Sequence, residues 1–170
     1  MSANSPTEPR KSSFAPFVAP DTRLLVLGTL PGEESLRTQR YYAHPRNLFW
    51  HLIGTAIGRD IVPLDYDQRV AALREAHVGL WDTIASARRR GSLDAAIREV
   101  EHNPLAELVA GLPELRAVAF NGATSAKIGS RLLAASKVAL VALPSSSPAH
   151  AAMKLADKEA VWRELSKFLR

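Results

Sequence analysis

Apolar positions along the chain form either short continuous runs or segments in which they recur every three or four residues. The continuous runs predict buried strands, and they lie at 24–27, 78–81, 116–120 and 138–143. The helical spacing predicts helices, which lie at 48–57, 67–77, 104–109, 123–134 and 154–169. Because strands alternate with helices, the pattern indicates an α/β layer fold around a mainly parallel sheet.

Proline, glycine and asparagine mark where the domain and some of its elements begin and end. Four prolines among serines and threonines in residues 1–20 predict a flexible N-terminal tail, which leaves 21–170 as a single domain. Gly58 is expected to end a helix. Asn103 is expected to cap the helix that has Pro104 at its first position.

The composition of the chain argues against membrane proteins, disulfide-bonded proteins and metalloproteins. No apolar run approaches the roughly 20 residues that cross a bilayer, and the N-terminus lacks the apolar segment of a signal peptide, so we expect no membrane association. The chain contains no cysteine, which excludes disulfides and thiolate metal sites and indicates a reducing cytoplasm. The five histidines show no metal-site spacing, and we expect neither a metal nor an organic cofactor.

Charge is distributed unevenly along the chain. The formal net charge is +5, with basic side chains in excess near both ends and acidic ones in the middle. A basic surface binds polyanions such as nucleic acids by releasing counterions. A merely solvated surface would show the same excess. The arginine-rich residues 88–91 predict an exposed loop.

Loops of unusual composition follow all four predicted strands. They begin at Gly28, Trp81, Asn121 and Pro144. In parallel α/β sheets, ligands bind beyond the carboxyl ends of the strands. We therefore expect these four loops to form one site.

The first loop has the sequence Gly28-Thr29-Leu30-Pro31-Gly32. Its glycines and proline let backbone amides approach a carbonyl oxygen or a phosphate closely. An ordinary turn after a strand would have a similar composition. The loop lacks the lysine of a Walker motif and the third glycine of a dinucleotide-binding motif.

The segment Tyr41 to Trp50 combines aromatic and polar side chains. Tyr41 and Tyr42 offer faces on which a base can stack, and Asn47 can hydrogen-bond a base edge or a water. Asn47 would also serve as a helix N-cap, and the two roles are compatible. Phe49 and Trp50 are expected to lie in the core.

The last loop contains Ser145, Ser146 and Ser147 ahead of a predicted helix. Their hydroxyls and amides suit a phosphate, although a simple proline–serine connector would look the same. A serine hydrolase using His150 is disfavoured, because the Gly-x-Ser-x-Gly motif is missing.

Together these segments resemble the uracil-DNA glycosylase superfamily. The stretches 28–32 and 143–148 look like its two motifs. The block 39–50, with Trp81-Asp82 and 120–122, is similar to the hypoxanthine-DNA glycosylase branch. The resemblance implies a three-layer α/β/α fold with a central four-stranded sheet.

The resemblance also implies a function. The expected enzyme is a base-excision repair glycosylase that acts as a monomer on double-stranded DNA and hydrolyses the bond between hypoxanthine and C1′ of deoxyinosine. Many superfamily members carry Asp or Asn where this chain has Leu30, and others carry His or Asn where it has Leu143. The residue that maps to the catalytic asparagine of the hypoxanthine branch is Asn47.

The remaining site residues follow from the loops and the resemblance together. The expected base-binding residues are Gly28, Thr29, Leu30, Pro31, Gly32, Tyr41, Tyr42, His44, Trp81, Asp82 and Asn121. The expected DNA-binding residues are Arg46, Ser145, Ser146, Ser147 and His150. Two alternatives stay open: the same fold acting on uracil or xanthine, and a non-catalytic DNA- or nucleotide-binding module.

Overall fold

The computed structural model describes residues 9–170. The strands are β1 Arg10–Ser12, β2 Leu24–Gly28, β3 Val78–Asp82, β4 Ile84–Arg88, β5 Arg98–His102, β6 Ala117–Asn121 and β7 Ala139–Leu143. The α-helices are α1 Glu33–Thr38, α2 Phe49–Ile57, α3 Tyr66–Glu75, α4 Leu105–Ala110, α5 Ala123–Leu132 and α6 Leu155–Arg163. Short 3₁₀ helices lie at Asp94–Ala96, between β4 and β5, and at Glu164–Phe168, after α6.

The central sheet contains four parallel strands in the order β3-β2-β6-β7. Strand β2 lies between β3 and β6, so that Leu24 pairs with both Val78 and Ala117. All residues of β2, β3 and β6 are buried, as continuous apolar runs predict. The predicted four-stranded parallel sheet is confirmed.

Helices cover both faces of this sheet. Successive side chains of a strand point to opposite faces, so Leu24 and Val26 contribute to one core while Leu25 and Leu27 contribute to the other. The first core is completed by α2, α3 and α6, and the second by α4 and α5. The three-layer α/β/α architecture is therefore confirmed.

A second sheet, which the sequence pattern did not predict, is antiparallel and has the order β1-β4-β5. We call β4, β5 and the residues between them the arm. The pattern missed the arm because β5 is exposed at every residue and has the mainly polar sequence Arg98-Glu99-Val100-Glu101-His102, which contains no apolar run.

The predicted N-terminal tail is wrong over its described part. Arg10–Ser12 pairs with β4, and Phe17 exchanges backbone hydrogen bonds with Leu80 at 2.9 and 2.8 Å. The Trp81 indole N–H donates to the carbonyl oxygen of Phe14 at 2.8 Å. Apolar side chains between the prolines hold this segment on the core. Residues 1–8 lie outside the described part of the chain.

Two predicted helix ends have different outcomes. Gly58 ends α2 with a left-handed φ of 71°, as expected. Asn103 does not cap α4, whose N-cap is Pro104. The Asn103 side chain instead donates to the carbonyl oxygen of Asp82 at 2.8 Å, and this bond ties β3 to the end of the arm. Within residues 9–170 no helix is both long and apolar enough to span a membrane.

Candidate active site

A cavity of about 590 Å³ opens at the carboxyl ends of β2, β3 and β6. This volume lies in the range of about 300–1,000 Å³ that is usual for small-molecule sites. Predicted residues that line it are Gly28, Thr29, Leu30, Pro31, Gly32, Tyr41, Tyr42, His44, Asn47, Asp82, Asn121, Ser145, Ser146, Ser147 and His150. The structure brings these residues together around one space, as the convergence of loops predicted.

Close packing around Gly28 explains why β2 ends in a glycine. A Cβ at this position would lie 2.6 Å from Oδ1 of Asp82 and 3.2 Å from the hydroxyl of Tyr42. The missing side chain therefore lets a carboxyl group and a phenol reach the floor of the cavity. Ser125 secures the strand end by donating to the carbonyl oxygen of Leu27 at 2.7 Å.

The side chain of Arg89 supports the first loop. Because this side chain is buried, the prediction that 88–91 form an exposed loop is wrong at Arg89. Its side chain is buried, with 1% of the residue exposed. The guanidinium donates to the carbonyl oxygens of Leu30 and Pro31. A guanidinium is buried at low cost only when such acceptors satisfy it, and Arg89 reaches these carbonyl oxygens because the arm lies against the first loop.

Three side chains form what we call the amide wall: Asn47, Asn121 and Ser146. Asn121 donates through Nδ2 to Oγ of Ser146 at 2.8 Å and accepts the Ser146 backbone N–H at 2.9 Å. The Ser146 hydroxyl then donates to Oδ1 of Asn47 at 2.7 Å. The same Oδ1 accepts the backbone N–H of Phe49 at 3.0 Å. Because donors occupy Oδ1, the carboxamide of Asn47 is held in a single orientation.

This network changes the roles of two predicted residues. Ser146 is 1% exposed and its hydroxyl donates to Asn47 inside the wall, and its binding of a phosphate stays a prediction. Both polar atoms of Asn121 face Ser146, and its Nδ2 also lies 3.4 Å from the Tyr42 hydroxyl. Asn121 therefore positions its neighbours, and its binding of the base stays a prediction.

The two tyrosines differ in how much of the ring is available. Tyr41 is 7% exposed, lies edge-on to Phe14, and donates its hydroxyl to the carbonyl oxygen of Ala15. Tyr42 is partly exposed and stacks on Phe49, with ring centroids 3.9 Å apart. Its φ of 52° is left-handed, which is unusual for a residue with a large side chain. Burial raises the pKa of both phenols, so both stay neutral near neutral pH.

Two carboxyl groups that line the same cavity form what we call the carboxyl wall: Asp82 and Asp94, with Thr29 beside them. The Thr29 hydroxyl donates to Oδ2 of Asp94 at 3.1 Å. Asp82 is 5% exposed, and its Oδ2 has no hydrogen-bond partner among residues 9–170. Burial and the nearby Asp94 raise the pKa of Asp82 to about 7, against a smaller opposing effect of Arg89. Burial also raises the pKa of Asp94.

The serine loop is held by a buried lysine. Nζ of Lys158 donates to the carbonyl oxygens of Ser145 and His150, at 2.8 and 2.7 Å. The Trp162 indole N–H donates to the carbonyl oxygen of Pro144 at 3.0 Å. Helix α6 thus fixes both ends of the loop, and burial lowers the pKa of Lys158.

Two predicted residues lie away from the cavity wall. Trp81 packs into the core beneath α4 and borders a separate cavity of about 540 Å³. Neighbouring side chains of a strand face opposite sides, and it is Asp82 that faces the site, so the binding of a base by Trp81 stays a prediction. Arg46 is exposed beyond the rim, where its backbone N–H donates to Nδ1 of His44 at 3.0 Å.

Sequence reasoning did not single out Asp94, Ser92, Arg89 or Lys158. Asp94 and Ser92 come from the arm, which has no recognisable pattern. Ser92 accepts the N–H of Glu33 at 2.8 Å and so fixes the start of α1. A signal existed for Lys158, because it falls at helical spacing with Leu155, Trp162 and Leu165 on an otherwise apolar stripe.

Groups suited to metal binding are not clustered in the described range. Among residues 9–170, no three His, Cys, Asp or Glu side chains come close enough to hold an ion together. The expectation of no metal and no organic cofactor stays a prediction.

Comparison with known proteins gives consistent results. The sequence model of the uracil DNA glycosylase superfamily matches residues 15–166. The chain is 35% identical over 158 residues to a protein of Methanosarcina barkeri named hypoxanthine DNA glycosylase, covering 93% of this chain and 99% of the relative. A protein of the same name from Methanosarcina acetivorans is 36% identical over 140 residues, covering 82% and 88%.

A solved structure agrees with these matches. The solution NMR structure of a protein from Methanosarcina acetivorans, described as a candidate uracil DNA glycosylase, superposes with a TM-score of 0.80 at 35% identity. The match covers 92% of this chain and 98% of the other. The chain therefore belongs to the uracil DNA glycosylase superfamily.

Proposed function

We propose that this protein is a monofunctional DNA glycosylase of base-excision repair that releases hypoxanthine from deoxyinosine in double-stranded DNA. The observation that carries the proposal is the carboxamide of Asn47, held in one orientation at the wall of a base-sized cavity. Two relatives at 35% and 36% identity are named hypoxanthine DNA glycosylases, which supports the same substrate class.

The bond to be cleaved is hidden in the duplex, so the nucleotide first rotates out of the stack. Extrusion costs a few kcal/mol, and less for a weak pair. Tyr42 receives the flipped base: Phe49 covers one face of its ring, and the ring borders the cavity. Tyr41 supports this arrangement from the core, where its hydroxyl is already bonded.

Asn47 acts on the base through its Nδ2 group. Its Oδ1 already accepts two hydrogen bonds, whereas Nδ2 makes none with residues 9–170. An attacking water needs an acceptor for its proton, and Oδ1 is poorly placed for this because it is occupied. An acceptor on the base, such as the carbonyl oxygen O6 of hypoxanthine, suits the remaining donor. Donation there stabilises charge that develops on the leaving base.

Backbone amides of the first loop add to this stabilisation. The C=O and N–H of a trans peptide point in opposite directions. The carbonyl oxygen of Thr29 accepts the Ile84 N–H at 3.0 Å, and that of Pro31 is held by Arg89. The N–H groups of Leu30 and Gly32 therefore point away from these partners, which supports the view that they face the cavity.

Bond cleavage is largely dissociative in this proposal. Asn47 is no strong base, so the bond to C1′ breaks towards an oxocarbenium-like sugar before water adds. Arg46 and the loop from Ser145 to His150 hold phosphates on either side. The protein acts as a monomer, and its cytoplasmic location stays a prediction.

The test is release of free base from duplexes that contain inosine, uracil or xanthine. We expect the natural chain to release hypoxanthine. The rate of release should fall about 10³-fold or more in the Asn47→Ala variant, because removal of one oxyanion-type donor costs about 10²–10³-fold and because Ser146 also loses its hydrogen-bond acceptor in the amide wall. DNA binding and thermal unfolding serve as folding controls. Release of uracil alone or xanthine alone would make that base, and not hypoxanthine, the substrate. If no base is released from any duplex, the chain is better described as a non-catalytic binding module.

A further inference from the structure

We propose that the Asp82 carboxyl is a catalytic general acid that protonates a ring nitrogen of the flipped purine and so selects purines over pyrimidines. This inference rests on the proposed glycosylase function. Asp82 lines the same cavity as Asn47, and more than nine-tenths of it is buried. Its Oδ2 has no hydrogen-bond partner among residues 9–170.

An unpartnered buried carboxyl oxygen needs an explanation, because buried polar groups are almost always hydrogen-bonded. A structural carboxylate would have its oxygens satisfied by donors, as those of Asp94 are in part by Thr29. The chain also makes room for Asp82, since any side chain at position 28 would collide with its Oδ1. The free hydrogen-bonding capacity of Oδ2 and the room that Gly28 leaves for Oδ1 together place a carboxyl at the cavity wall that a substrate can still engage.

The surroundings favour the protonated form of Asp82. The pKa is raised to about 7, first by burial and then by the carboxyl of Asp94, while Arg89 acts in the opposite direction. The phenols of Tyr41 and Tyr42 stay neutral in this range. The rim of the cavity also carries Glu33, Glu34, His44 and His150. Near pH 7 a useful fraction of Asp82 is therefore a neutral acid facing the cavity.

The proposed step transfers one proton to the base and breaks one bond. The Asp82 carboxyl gives its proton to N7 of hypoxanthine, the C1′–N9 bond breaks, and its electron pair stays on N9. The base leaves as a neutral tautomer that carries hydrogen on N7. Water adds to C1′ and loses its proton to the Asp82 carboxylate, which restores the acid. Uracil has no nitrogen equivalent to N7, so the group assists purines only.

The experiment measures single-turnover release of hypoxanthine from an inosine duplex between about pH 5 and about pH 9. The natural chain should lose rate tenfold per pH unit above about pH 7. The Asp82→Asn variant should be about 10²–10⁴-fold slower at low pH, the usual contribution of a general acid, and should lack this decline. The Asp94→Asn variant should keep the decline but move it to lower pH, because a charge that raises the pKa of Asp82 is removed.

Each outcome is decisive. An Asp82→Asn variant that keeps the natural rate, or loses rate but keeps the decline, would make Asp82 structural and overturn the inference. Because His44 and His150 also lie at the rim, the pH profile of the natural chain does not by itself assign the decline to Asp82. The comparison with the Asp82→Asn variant makes that assignment. If release by the Asp82→Asn variant is undetectable although its DNA binding is normal, the Asp94→Asn variant provides the test. A decline that moves to lower pH in this variant supports the inference, and a decline that stays in place overturns it. Absence of hypoxanthine release by the natural chain at every pH would instead refute the proposed function.

Discussion

The two walls of the cavity satisfy their polar groups in opposite ways. In the amide wall, the carbonyl oxygens of Asn47 and Asn121 and the hydroxyl of Ser146 all have partners at 2.7–3.0 Å. In the carboxyl wall, Asp82 keeps one buried oxygen without a partner. A satisfied network is rigid and fixes orientation, whereas an unsatisfied buried group stores unfavourable free energy.

This difference indicates how the work of the site is divided. The amide wall is ready before a substrate arrives, since its members orient one another. In the carboxyl wall, Oδ2 of Asp82 has no partner among residues 9–170 and so keeps hydrogen-bonding capacity for a ligand. Substitutions should therefore have opposite effects on stability in the two walls, although both should slow the reaction.

The largest expected effect on stability is in the carboxyl wall. The pKa of Asp82 is raised from 3.8 to about 7 in the folded protein, so the folded state keeps a proton that the unfolded state releases. The stability contributed by this group is fully present below about pH 4 and is lost as the pH rises to about 7. The Asp82→Asn variant, which is neutral at every pH, should be more stable than the natural chain at about pH 8 by a few kcal/mol.

Urea unfolding at about pH 5 and about pH 8 measures this gain. Glu114→Gln removes a carboxylate from an exposed position and serves as the matched control, with little expected change. Equal or lower stability of Asp82→Asn at the higher pH would mean that the carboxylate is satisfied in the folded protein.

An intermediate effect is expected in the amide wall. Ser146→Ala leaves Asn121 Nδ2 without this acceptor and removes one of the two donors to Asn47 Oδ1. We expect a loss of about 1–3 kcal/mol in stability, as for an unsatisfied buried group. Single-turnover release should fall about tenfold because the carboxamide is less well oriented. Ser130→Ala, on the exposed side of α5, is the control; a Ser146→Ala variant of natural stability and rate would show that the wall does not depend on its central hydroxyl.

The smallest effect is expected outside both walls, at Arg46. This side chain is exposed, so Arg46→Ala should weaken binding to inosine duplexes about threefold to tenfold and reduce the salt slope by about one. The rate at saturating DNA should stay the same. Arg131→Ala, in the last turn of α5, is the matched control. A slower reaction at saturation would instead connect Arg46 with the amide wall.

Most of the fold could be predicted from the sequence. Continuous apolar runs identified all four strands of the central sheet, to within about one residue at each end. A strand buried on both faces must be apolar throughout, so its signal is strong. Strand β5 is exposed at every residue and gave no such signal, and the described part of the N-terminal segment was misjudged because its prolines concealed a short edge strand.

The candidate site was predictable where its residues share a segment. The stretch from Gly28 to Asn47 was recognised because glycine, proline, tyrosine and asparagine are unusual together after a buried strand. Asp94 could not be recognised, because its place beside Thr29 depends on how the arm folds back. Arg89 looked like part of an exposed basic run, and only its burial beneath Leu30 reveals its role.

The sequence by itself determined the chain order of the four central strands and of helices α2 to α6, the position of the site at the carboxyl ends of the strands, and the family resemblance. These depend on local patterns and on rules that hold for every parallel sheet. The tertiary structure alone decided which polar groups find partners. Ser146 is drawn into the amide wall while Asp82 is left unsatisfied, and both outcomes depend on distances between residues far apart in the chain.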